Sequence, residues 1–496
     1  MKKFIKINEA DNVVVALAPL EKDFIIKIND KEVKLLESVE KGHKVALNNM
    51  GAGENIIKYG MPIGHTLKAV KAGEWVHVHN VKTNLSDLNK YTYVPKTNEV
   101  ITKISNRKVN VYKRADGNIG IRNDIWIIPT VGCVNGISEM IKTNFLNEVK
   151  PEGIDNITVL NHDYGCSQLG DDHENTRKIL QDLTKHPNAG GILIVGLGCE
   201  YNQVPDFKET LGEYGADRVK FLVTQESDDE IEDGKNLLKE IYNVVKEDKR
   251  EEAFISDLKI GLECGGSDGF SGITANPMLG KFSDYLGYYG GTTVLTEVPE
   301  MFGAETILME RCEDKEVFQK TVELVNDFKE YFISHNQVIY ENPSPGNKNG
   351  GISTLEDKSL GCVQKSGNSK VTDVLKYGDI IKKRGLNLLS APGNDLVATT
   401  ALEAAGCNMV LFTTGRGTPY GGITPTVKIA TNTELAEKKS NWIDFNAGRL
   451  LSEDIDVDFL LEEFINYIVR VADGELTGNE RNNGRGFAIF KSGVTL

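Results

Sequence analysis

The chain has 496 residues, of which 40% are hydrophobic and 26% are charged, and its formal net charge is −15 at pH 7. This length favours two or three domains. The negative charge argues against broad binding to nucleic acid or anionic membranes, because both draw their affinity from positive surface. No stretch approaches the roughly 20 apolar residues that a membrane span needs, so we expect neither nucleic acid nor membrane as a partner.

Residues 1–92 have the pattern of a small all-β domain. Short alternating runs at 13–17, 24–28, 45–47 and 74–79 are separated by turn-forming Gly, Asp and Asn. The first residues are basic but polar residues follow at once, so a signal peptide is not indicated and we expect a cytoplasmic protein. Residues 93–123 are polar without a clear period and are predicted to be a linker.

From residue 124 the pattern changes to strand, loop and helix. Continuous β-branched apolar runs alternate with helical patterns, which is typical of a parallel sheet covered by helices on both faces. The predicted strands are 125–131, 157–160, 191–197, 219–223, 258–262, 292–295, 386–389 and 409–412, and helical patterns include 174–183, 230–245 and 315–332. We therefore predict an α/β region over 124–496.

One segment interrupts this alternation. Residues 336–372 are rich in Gly, Asn, Ser and Lys. A loop of this length inside a compact domain is usually either disordered or functional. Its lysines Lys348, Lys358 and Lys365 favour a functional segment.

Four of the seven cysteines follow predicted strands. They are Cys133, Cys166, Cys199 and Cys264, at intervals of 33, 33 and 65 residues. A βα unit takes about 30 residues, so the cysteines recur with the period of the predicted fold, and the strand at 219–223 accounts for the doubled interval. Each of the first three follows a glycine, which allows a tight turn and close approach to a ligand.

Cytoplasmic thiols at one sheet edge suggest a metal site. Ligands of parallel α/β sheets bind at the carboxyl ends of the strands, and thiolates suit iron, iron–sulfur clusters or zinc better than magnesium or calcium. A single cysteine is more often a small buried apolar residue, but three in matching Gly-Cys turns favour a site formed by Cys133, Cys166 and Cys199, with Cys264 as a possible fourth.

Several longer motifs resemble the altronate/galactarate dehydratase family. They are Leu262-Glu263-Cys264-Gly265-Gly266-Ser267-Asp268, Asn342-Pro343-Ser344-Pro345-Gly346-Asn347-Lys348, Ala391-Pro392-Gly393-Asn394-Asp395, Leu411-Phe412-Thr413-Thr414-Gly415-Arg416-Gly417-Thr418-Pro419 and Lys428-Ile429-Ala430-Thr431-Asn432. The first 92 residues resemble the SAF (β-clip) domain of that family, through Asn8-Glu9-Ala10-Asp11-Asn12 and Gly42-His43-Lys44-Val45-Ala46-Leu47. The match extends over nearly the whole chain, and Trp75-Val76-His77-Val78-His79-Asn80 is similar to the altronate branch.

The resemblance implies a function. It implies removal of water from D-altronate to give 2-dehydro-3-deoxy-D-gluconate in hexuronate breakdown, with iron as Fe²⁺ or as an iron–sulfur cluster under reducing conditions. It also implies a homodimer built on a middle region, and a Rossmann-like C-terminal part with an unusual crossover.

Dehydration of an aldonate requires a base at C2 and an acid at the leaving hydroxyl of C3. The candidates are His162, at the strand end that carries Cys166; Asp268, in a Gly-rich turn; and His79, which shares a strand face with His77 if that segment is a strand. Each also has an ordinary interpretation: a loop hydrogen bond, a turn residue or an exposed polar strand face, respectively. Glu200 after Cys199 is either a polar group of the site or a helix cap.

The substrate carboxylate requires cations and hydrogen-bond donors. Arg416 follows the last strong strand, and Arg can bind a carboxylate through two parallel hydrogen bonds. The further candidates are Arg122, Asn123, Ser267, Lys348 and Thr414, although Arg122 and Asn123 precede a strand and could lie at the opposite sheet edge.

Three other functions fit parts of the pattern. A galactarate dehydratase or a sulfolactate sulfo-lyase would use the same site. A redox or nucleotide-binding protein would share the α/β alternation, but the first strand does not end in a G-x-G-x-x-G turn. A non-catalytic sugar-acid sensor would use the SAF-like domain, but the many charged and Gly-rich loops at the predicted strand ends argue against this function.

Overall fold

The computed structural model describes residues 2–29, 31–85, 88, 90–96, 100–452 and 455–494. In these ranges no helix combines the length and the apolar composition that crossing a membrane requires.

The N-terminal module, residues 2–29 and 31–85, is built from short antiparallel strands. They are β1 Phe4–Ile5, β2 Val13–Ala16, β3 Ile25–Ile28, β4 Lys31–Lys34, β5 Lys44–Ala46, β6 Asn55–Lys58, β7 Met61–Thr66, β8 Trp75–Val76 and β9 Val81–Lys82. They pair in the orders β1-β2-β5-β8, β3-β4 and β6-β7-β9. The predicted all-β start of the chain is confirmed.

The predicted linker contains two strands, which the sequence analysis missed. β10 (Lys108–Lys113) pairs with β11 (Ile119–Gly120) on one side and with β16 (Glu251–Phe254) on the other. Val109 and Val111 of β10 are buried and alternate with polar residues, so one face of this small sheet packs against the core. The polar alternation concealed these strands.

A four-stranded parallel sheet follows, in the order β13-β12-β14-β15. Its strands are β12 Asp124–Pro129, β13 Ile157–Val159, β14 Ala189–Gly196 and β15 Val219–Val223, and its helices are α1 Asn135–Glu148, α2 Asp171–Thr184, α3 Val204–Leu211 and α4 Glu230–Val245. Ile125 and Ile127 of β12 pack in one apolar cluster with α1 and α4, whereas Trp126 and Ile128 pack in another with α2 and α3. Burial on both faces explains the continuous apolar strands.

A separate seven-stranded parallel sheet forms the C-terminal part, in the order β19-β20-β18-β17-β21-β22-β23. Its strands are β17 Lys259–Cys264, β18 Thr292–Leu295, β19 Val371–Leu375, β20 Gly385–Leu389, β21 Met409–Thr414, β22 Thr426–Ala430 and β23 Phe445–Asn446. The helices of this part are α5 Ala275–Tyr288, α6 Glu305–Met309, α7 Lys315–Ser334, α8 Pro345–Asn349, α9 Leu355–Cys362, α10 Asp395–Ala404, α11 Thr433–Lys438, α12 Arg449–Ser452, α13 Val457–Ala472 and α14 Gly478–Arg481. The α/β class is confirmed, with two parallel sheets.

The segment 336–372 is not a long loop. It contains α8 and α9, and every residue of α9 is buried, including three consecutive charged ones. Helix α9 lies between the carboxyl end of the seven-stranded sheet and the N-terminal module, whose Ile63 carbonyl accepts a hydrogen bond from Thr354, the N-cap of α9.

The two parallel sheets point the same way. Asn188, just before β14, donates to the carbonyl of Asn408, just before β21, at 2.8 Å, so the amino ends adjoin. Helices α2 and α10 pack together, and His186 beyond the end of α2 contacts the carbonyl of Cys407 beyond the end of α10 at 3.1 Å. The carboxyl ends of both sheets therefore face one side of the molecule.

Candidate active site

Two groups of reactive side chains lie at this carboxyl side. The first, the thiol edge, consists of Cys133, Cys166 and Cys199 on the loops after β12, β13 and β14. All three side chains are exposed. Cys264 does not belong to this series, because it is buried at the end of β17 in the other sheet.

The loops of the thiol edge are locked together. Gly165 has φ of +99°, and a Cβ built there would lie 2.0 Å from the carbonyl oxygen of Thr130, so only glycine fits. Gly132 donates to the carbonyl of Tyr164 at 2.9 Å. Glu200 accepts from the Thr130 hydroxyl at 2.7 Å and from Gly198 N at 2.6 Å, so it joins loops rather than capping the next helix. These contacts therefore hold the loops that carry the three thiols in fixed positions.

The spacing of the three thiols argues against a single ion bound by all of them. The three Sγ atoms are not all within 4.8 Å of one another, whereas tetrahedral coordination with metal–sulfur bonds of about 2.3 Å brings sulfurs to about 3.8 Å apart. A cluster spreads its thiolates over several irons. The chemistry of the donor set, three thiolates, therefore fits iron.

The second group, the buried cluster, lies at the carboxyl edge of the seven-stranded sheet. It comprises Glu263, Cys264, Glu297, Glu300, Lys358, Cys362, Lys365 and Asp395. All are buried except Asp395, which is half-buried. They come from β17, the turn after β18, α9 with the turn after it, and the start of α10.

Ion pairs and short contacts join the members of the cluster. Lys358 Nζ lies 2.6 Å from Glu300 Oε1, and Lys365 Nζ lies 3.8 Å from Glu297 Oε2. Cys264 Sγ lies 3.0 Å from Glu300 Oε2 and 3.3 Å from Cys362 Sγ. Four carboxyls meet only two lysines, so the cluster would carry excess negative charge if all four were ionised.

The pKa values of these carboxyls are driven apart. Burial raises the pKa of both Glu263 and Glu297 well above the ordinary value, helped by Asp395 and Glu300 respectively, which favours the protonated form of both. Burial would also raise the pKa of Glu300, but Lys358 and Lys365 outweigh it and lower that pKa to about 2. Burial raises the pKa of Asp395 to about 6. Carboxyls of opposite protonation at one site are the mark of acid and base roles.

The backbone at Glu297 is strained. This residue has φ of 63° and ψ of 66°, the left-handed region that non-glycine residues rarely adopt. Such strain persists only where the surroundings hold it and is concentrated at functional sites.

Two sets of side chains in the buried cluster could hold a metal ion. Ligand atoms of Cys264, Glu300 and Cys362 lie within 4.8 Å of one another, and so do those of Glu263, Glu297 and Asp395. The buried Glu263 Oε1 has no hydrogen-bond partner among the described residues, whereas Oε2 accepts from Thr399 at 2.5 Å. The second set offers only oxygen ligands and the first mainly sulfur.

Two predicted cations adjoin the cluster. Lys348 lies in α8 and Arg416 in the loop after β21, and a Cβ at Gly346 would lie 3.8 Å from Arg416 Nε. Within the described part of the chain, neither side chain has a hydrogen-bond or ion-pair partner. Ser267 lies close by: its carbonyl accepts from Asn347 Nδ2 at 2.9 Å and its buried hydroxyl is unpaired among the described residues. Lys348, Arg416 and the Ser267 hydroxyl are therefore suited to binding an anionic substrate.

Three predicted site residues have structural roles instead. Arg122 is buried at the amino end of β12, where its guanidinium binds Glu480 and three backbone carbonyls. Asn123 is fully buried there and donates to the carbonyls of Gly153 and Val245. Both lie at the sheet edge opposite the site, which corrects their predicted role in substrate binding.

His162 is the third correction. Its Nε2 lies 2.8 Å from the Pro129 carbonyl and its Nδ1 accepts from Tyr164 N at 3.1 Å. Burial lowers its pKa. Both ring nitrogens are occupied, so His162 connects two loops of the thiol edge and has no free nitrogen for catalysis.

Asp268 and Thr414 hold loops beside the site. Asp268 accepts hydrogen bonds from the hydroxyl of Thr431, the amide of Asn432 and the backbone of Phe270. Thr414 accepts from Gly417 N at 2.9 Å and so shapes the turn that carries Arg416. The carboxylate of Asp268 is saturated, which favours the turn role over the catalytic one.

His77 and His79 do not share a strand face, because β8 ends at Val76 and a turn follows. His79 is exposed and contacts only the ring of Trp75 among the described aromatic residues, with centroids 4.8 Å apart. His77 is buried, and burial together with Lys44 and His43 lowers its pKa to about 3. Lys44 and Asp357, which pair at the contact with α9, both act on the pKa of His77.

The sequence analysis missed most of the buried cluster. Glu263, Cys264 and Asp395 stood inside the family motifs, and Lys358 and Lys365 were noted only as lysines of a supposed loop. Glu297 and Glu300 gave no signal beyond their position after a predicted strand. Carboxyl residues at or after the ends of β17, β18 and β20 were the available clue.

Known families match most of the chain in three parts. The "Altronate/galactarate dehydratase SAF domain" matches residues 2–84, the "D-galactarate dehydratase/Altronate hydrolase, second domain" matches residues 111–246, and the "D-galactarate/Altronate dehydratase, C-terminal" domain matches residues 255–495.

Curated relatives agree with these matches. The chain is 59% identical over 495 residues to altronate dehydratase of Escherichia coli (strain K12) and 57% identical over 499 residues to altronate dehydratase of Bacillus subtilis (strain 168), covering 100% of each chain in both cases. It is 31% identical to galactarate dehydratase (L-threo-forming) of Escherichia coli (strain K12), over 95% of this chain and 93% of that one.

Proposed function

The chain belongs to the D-galactarate/altronate dehydratase family, and we propose that it removes water from D-altronate at the buried cluster to give 2-dehydro-3-deoxy-D-gluconate. It is a hydro-lyase acting on a sugar acid. The observation that carries the placement is the pair Glu297 and Asp395, whose carboxyl oxygens lie within 4.8 Å of each other and whose pKa values are raised to different extents by burial.

Asp395 is the proposed base. A pKa of about 6 leaves it ionised at neutral pH yet basic enough to accept a proton, and its half-buried position gives access to a ligand. It removes the C2 proton, and the C–H electrons pass to the carboxylate as an enediolate. Lys358, charged and held by Glu300, adds positive charge where this anion forms.

Glu297 is the proposed acid. Because burial raises its pKa and so favours the protonated form, it can give its proton to the hydroxyl on C3 as the C3–O bond breaks. The enediolate electrons then form the C2=C3 double bond, and the oxygen leaves as water. The resulting enol takes up a proton at C3 and becomes the 2-keto acid.

Lys348 and Arg416 are the proposed carboxylate ligands. Within the described part of the chain, neither cation has a hydrogen-bond or ion-pair partner. Both lie beside the turn that contains Ser267, whose hydroxyl is also unpaired there. In a chain of net charge −15, such local cations are needed to attract an anionic sugar acid.

Iron is the proposed cofactor, as the family resemblance implies, with Cys133, Cys166 and Cys199 as its ligands. Iron bound by these thiolates would act as a Lewis acid on the side of the molecule where the carboxyl ends of both sheets lie. Support comes from three exposed thiols on interlocked glycine turns. Iron and acid-labile sulfide in the anaerobically purified protein, both absent from Cys166→Ser, would agree with this; wild-type iron content in that variant would contradict it.

The cellular setting is also proposed from the resemblance and the composition. We propose a cytoplasmic homodimer that acts in hexuronate breakdown. Light scattering of the purified protein tests the dimer, since a monomeric mass would contradict it.

A substrate assay tests the function. The protein is incubated anaerobically with Fe²⁺ and a thiol, and with altronate, galactarate or sulfolactate in parallel. We expect the 2-keto-3-deoxy acid from altronate at a rate at least tenfold above the other two. Preferential turnover of galactarate or sulfolactate would favour those activities instead, and no product from any of them would refute the assignment.

A further inference from the structure

Helix α9 connects the N-terminal module to the buried cluster. Three consecutive charged residues on it, Glu356, Asp357 and Lys358, are buried. Buried charges of this kind require partners, and each of the three finds them in a different place.

The two carboxylates bind the N-terminal module. Glu356 accepts from the Thr83 hydroxyl at 2.9 Å and from Asn84 N at 2.6 Å. Asp357 lies between two lysines of the module, with Lys44 Nζ at 2.8 Å and Lys58 Nζ at 2.9 Å. Asp357, Lys44 and Lys58 are all almost fully buried. Burial would raise the pKa of Asp357, but the two lysines outweigh it and hold this pKa below its ordinary value.

Lys358 points the other way. Its Nζ binds Glu300 at 2.6 Å and Asn342 Oδ1 at 3.1 Å. One helical turn further on, Cys362 faces Cys264, whereas Gly361, one turn beyond Asp357, packs beneath Tyr59 of the module, whose hydroxyl lies 3.6 Å from a Cβ built there. Positions four apart share a helix face, so one face of α9 belongs to the module and the adjacent face to the cluster.

We propose that Asp357 is a positioning residue: by binding Lys44 and Lys58, it makes the N-terminal module hold Lys358 against Glu300 in the active site. The module is therefore part of the catalytic apparatus without touching the substrate through these residues. This inference rests on the proposed role of Lys358 in stabilising the enediolate.

Because a helix moves as a unit, loss of the Asp357 carboxylate shifts Lys358 as well. It leaves Lys44 and Lys58 buried with no counter-ion, so the two cations of the module repel each other and no longer attract α9. Misplacement of a catalytic group by a fraction of an ångström to one ångström is enough to lower turnover strongly.

The test is a double-mutant cycle on kcat, with Asp357→Asn, Lys358→Met and both together. Asp357→Asn is expected to lower kcat at least tenfold and to change KM less than threefold. In the Lys358→Met background, the same change is expected to lower the residual kcat less than threefold, because its effect passes through Lys358.

The matched control is Glu480→Gln. Glu480 is likewise a buried carboxylate between two cations, Arg122 at 2.8 Å and Arg485 at 3.9 Å, but it lies at the opposite sheet edge. The kcat of the Glu480→Gln variant is expected to stay within twofold of the wild-type value. If Asp357→Asn fails to fold, Lys58→Met replaces it in the cycle, because the Lys44–Asp357 pair that remains is neutral overall; a kcat loss of threefold or more is then expected.

Two results would overturn the proposal. One is a kcat loss for Asp357→Asn no larger than for Glu480→Gln; the other is an equal fold-loss with and without Lys358. Failure of the wild-type protein to dehydrate altronate would instead refute the proposed function and is seen before any variant is made.

Discussion

The carboxyl groups of the buried cluster show how burial and neighbouring charge assign different roles to similar residues. Glu300 stays ionised because Lys358 lies 2.6 Å away. Glu297 is only 3.8 Å from Lys365, yet its pKa is raised, because it is fully buried and Glu300 carries a negative charge beside it. The residue types alone do not distinguish these cases; the contacts do.

Activity should therefore depend on the ionisation of Asp395. Because the base must be unprotonated, kcat/KM is expected to fall about tenfold per pH unit below about pH 6, the pKa of Asp395. Rates of altronate dehydration between pH 4.5 and 8 measure this limb, with exposure times short enough to preserve the fold.

The control for this limb is Asp182→Asn. Burial raises the pKa of Asp182 to about 7, but the residue lies in α2, outside the buried cluster. The acid limb is expected to persist in that variant. A limb that disappears in Asp182→Asn, or one centred near pH 4, would argue against Asp395 as the base.

Among the elements, the glycine turns and α9 differ in how far the sequence reveals them. The Gly-Cys turns recur with the period of the βα unit, so the sequence predicts where the thiols lie. Helix α9 was missed, because its apolar periodicity is broken by Glu356, Asp357 and Lys358, which are buried through ionic contacts. Such contacts join residues far apart in the chain and leave no local pattern.

The turn at Gly165 provides a test at this scale. Gly165→Ala forces a Cβ to 2.0 Å from the Thr130 carbonyl at φ of +99°, so the loops of the thiol edge must separate. We expect a loss of at least about 1–3 kcal/mol in the free energy of unfolding together with loss of bound iron. Denaturant unfolding and an iron count measure the two effects.

Gly136→Ala is the matched variant for this turn. Gly136 lies in α1, and no atom lies within 4 Å of a Cβ built there. The variant should retain its iron and be stabilised by up to about 1 kcal/mol through helix propensity. Retained iron and stability in Gly165→Ala would show that the turn does not depend on glycine.

For the whole molecule, the sequence analysis reached the fold class but not the division into two sheets. Strands of both sheets have the same apolar character, so the predicted strands between residues 124 and 412 were assigned to a single parallel sheet. Along the chain, β16 comes between the strands of the two parallel sheets and pairs with β10 instead of joining either of them; the polar alternation of β10 concealed this separate antiparallel sheet. Consequently Cys264 was grouped with the thiol edge, and the partners that surround it were not foreseen.

The shared orientation of the two sheets brings three contributions to one side of the molecule: the thiol edge, the buried cluster and the N-terminal module above α9. The central claim is that dehydration occurs at the buried cluster, with Asp395 as base and Glu297 as acid. These roles separate the two halves of the reaction, since one residue acts on the C2 proton and the other on the C3 hydroxyl.

Proton NMR of altronate in D₂O with wild-type protein, Glu297→Gln and Asp395→Asn tests this claim most directly. Glu297→Gln is expected to exchange the C2 proton for deuterium faster than it forms product, because deprotonation occurs but the hydroxyl leaves slowly. Asp395→Asn is expected to lose both exchange and product at least a hundredfold. Product formation by Asp395→Asn at the wild-type rate, or by Glu297→Gln without slowing, would contradict the account.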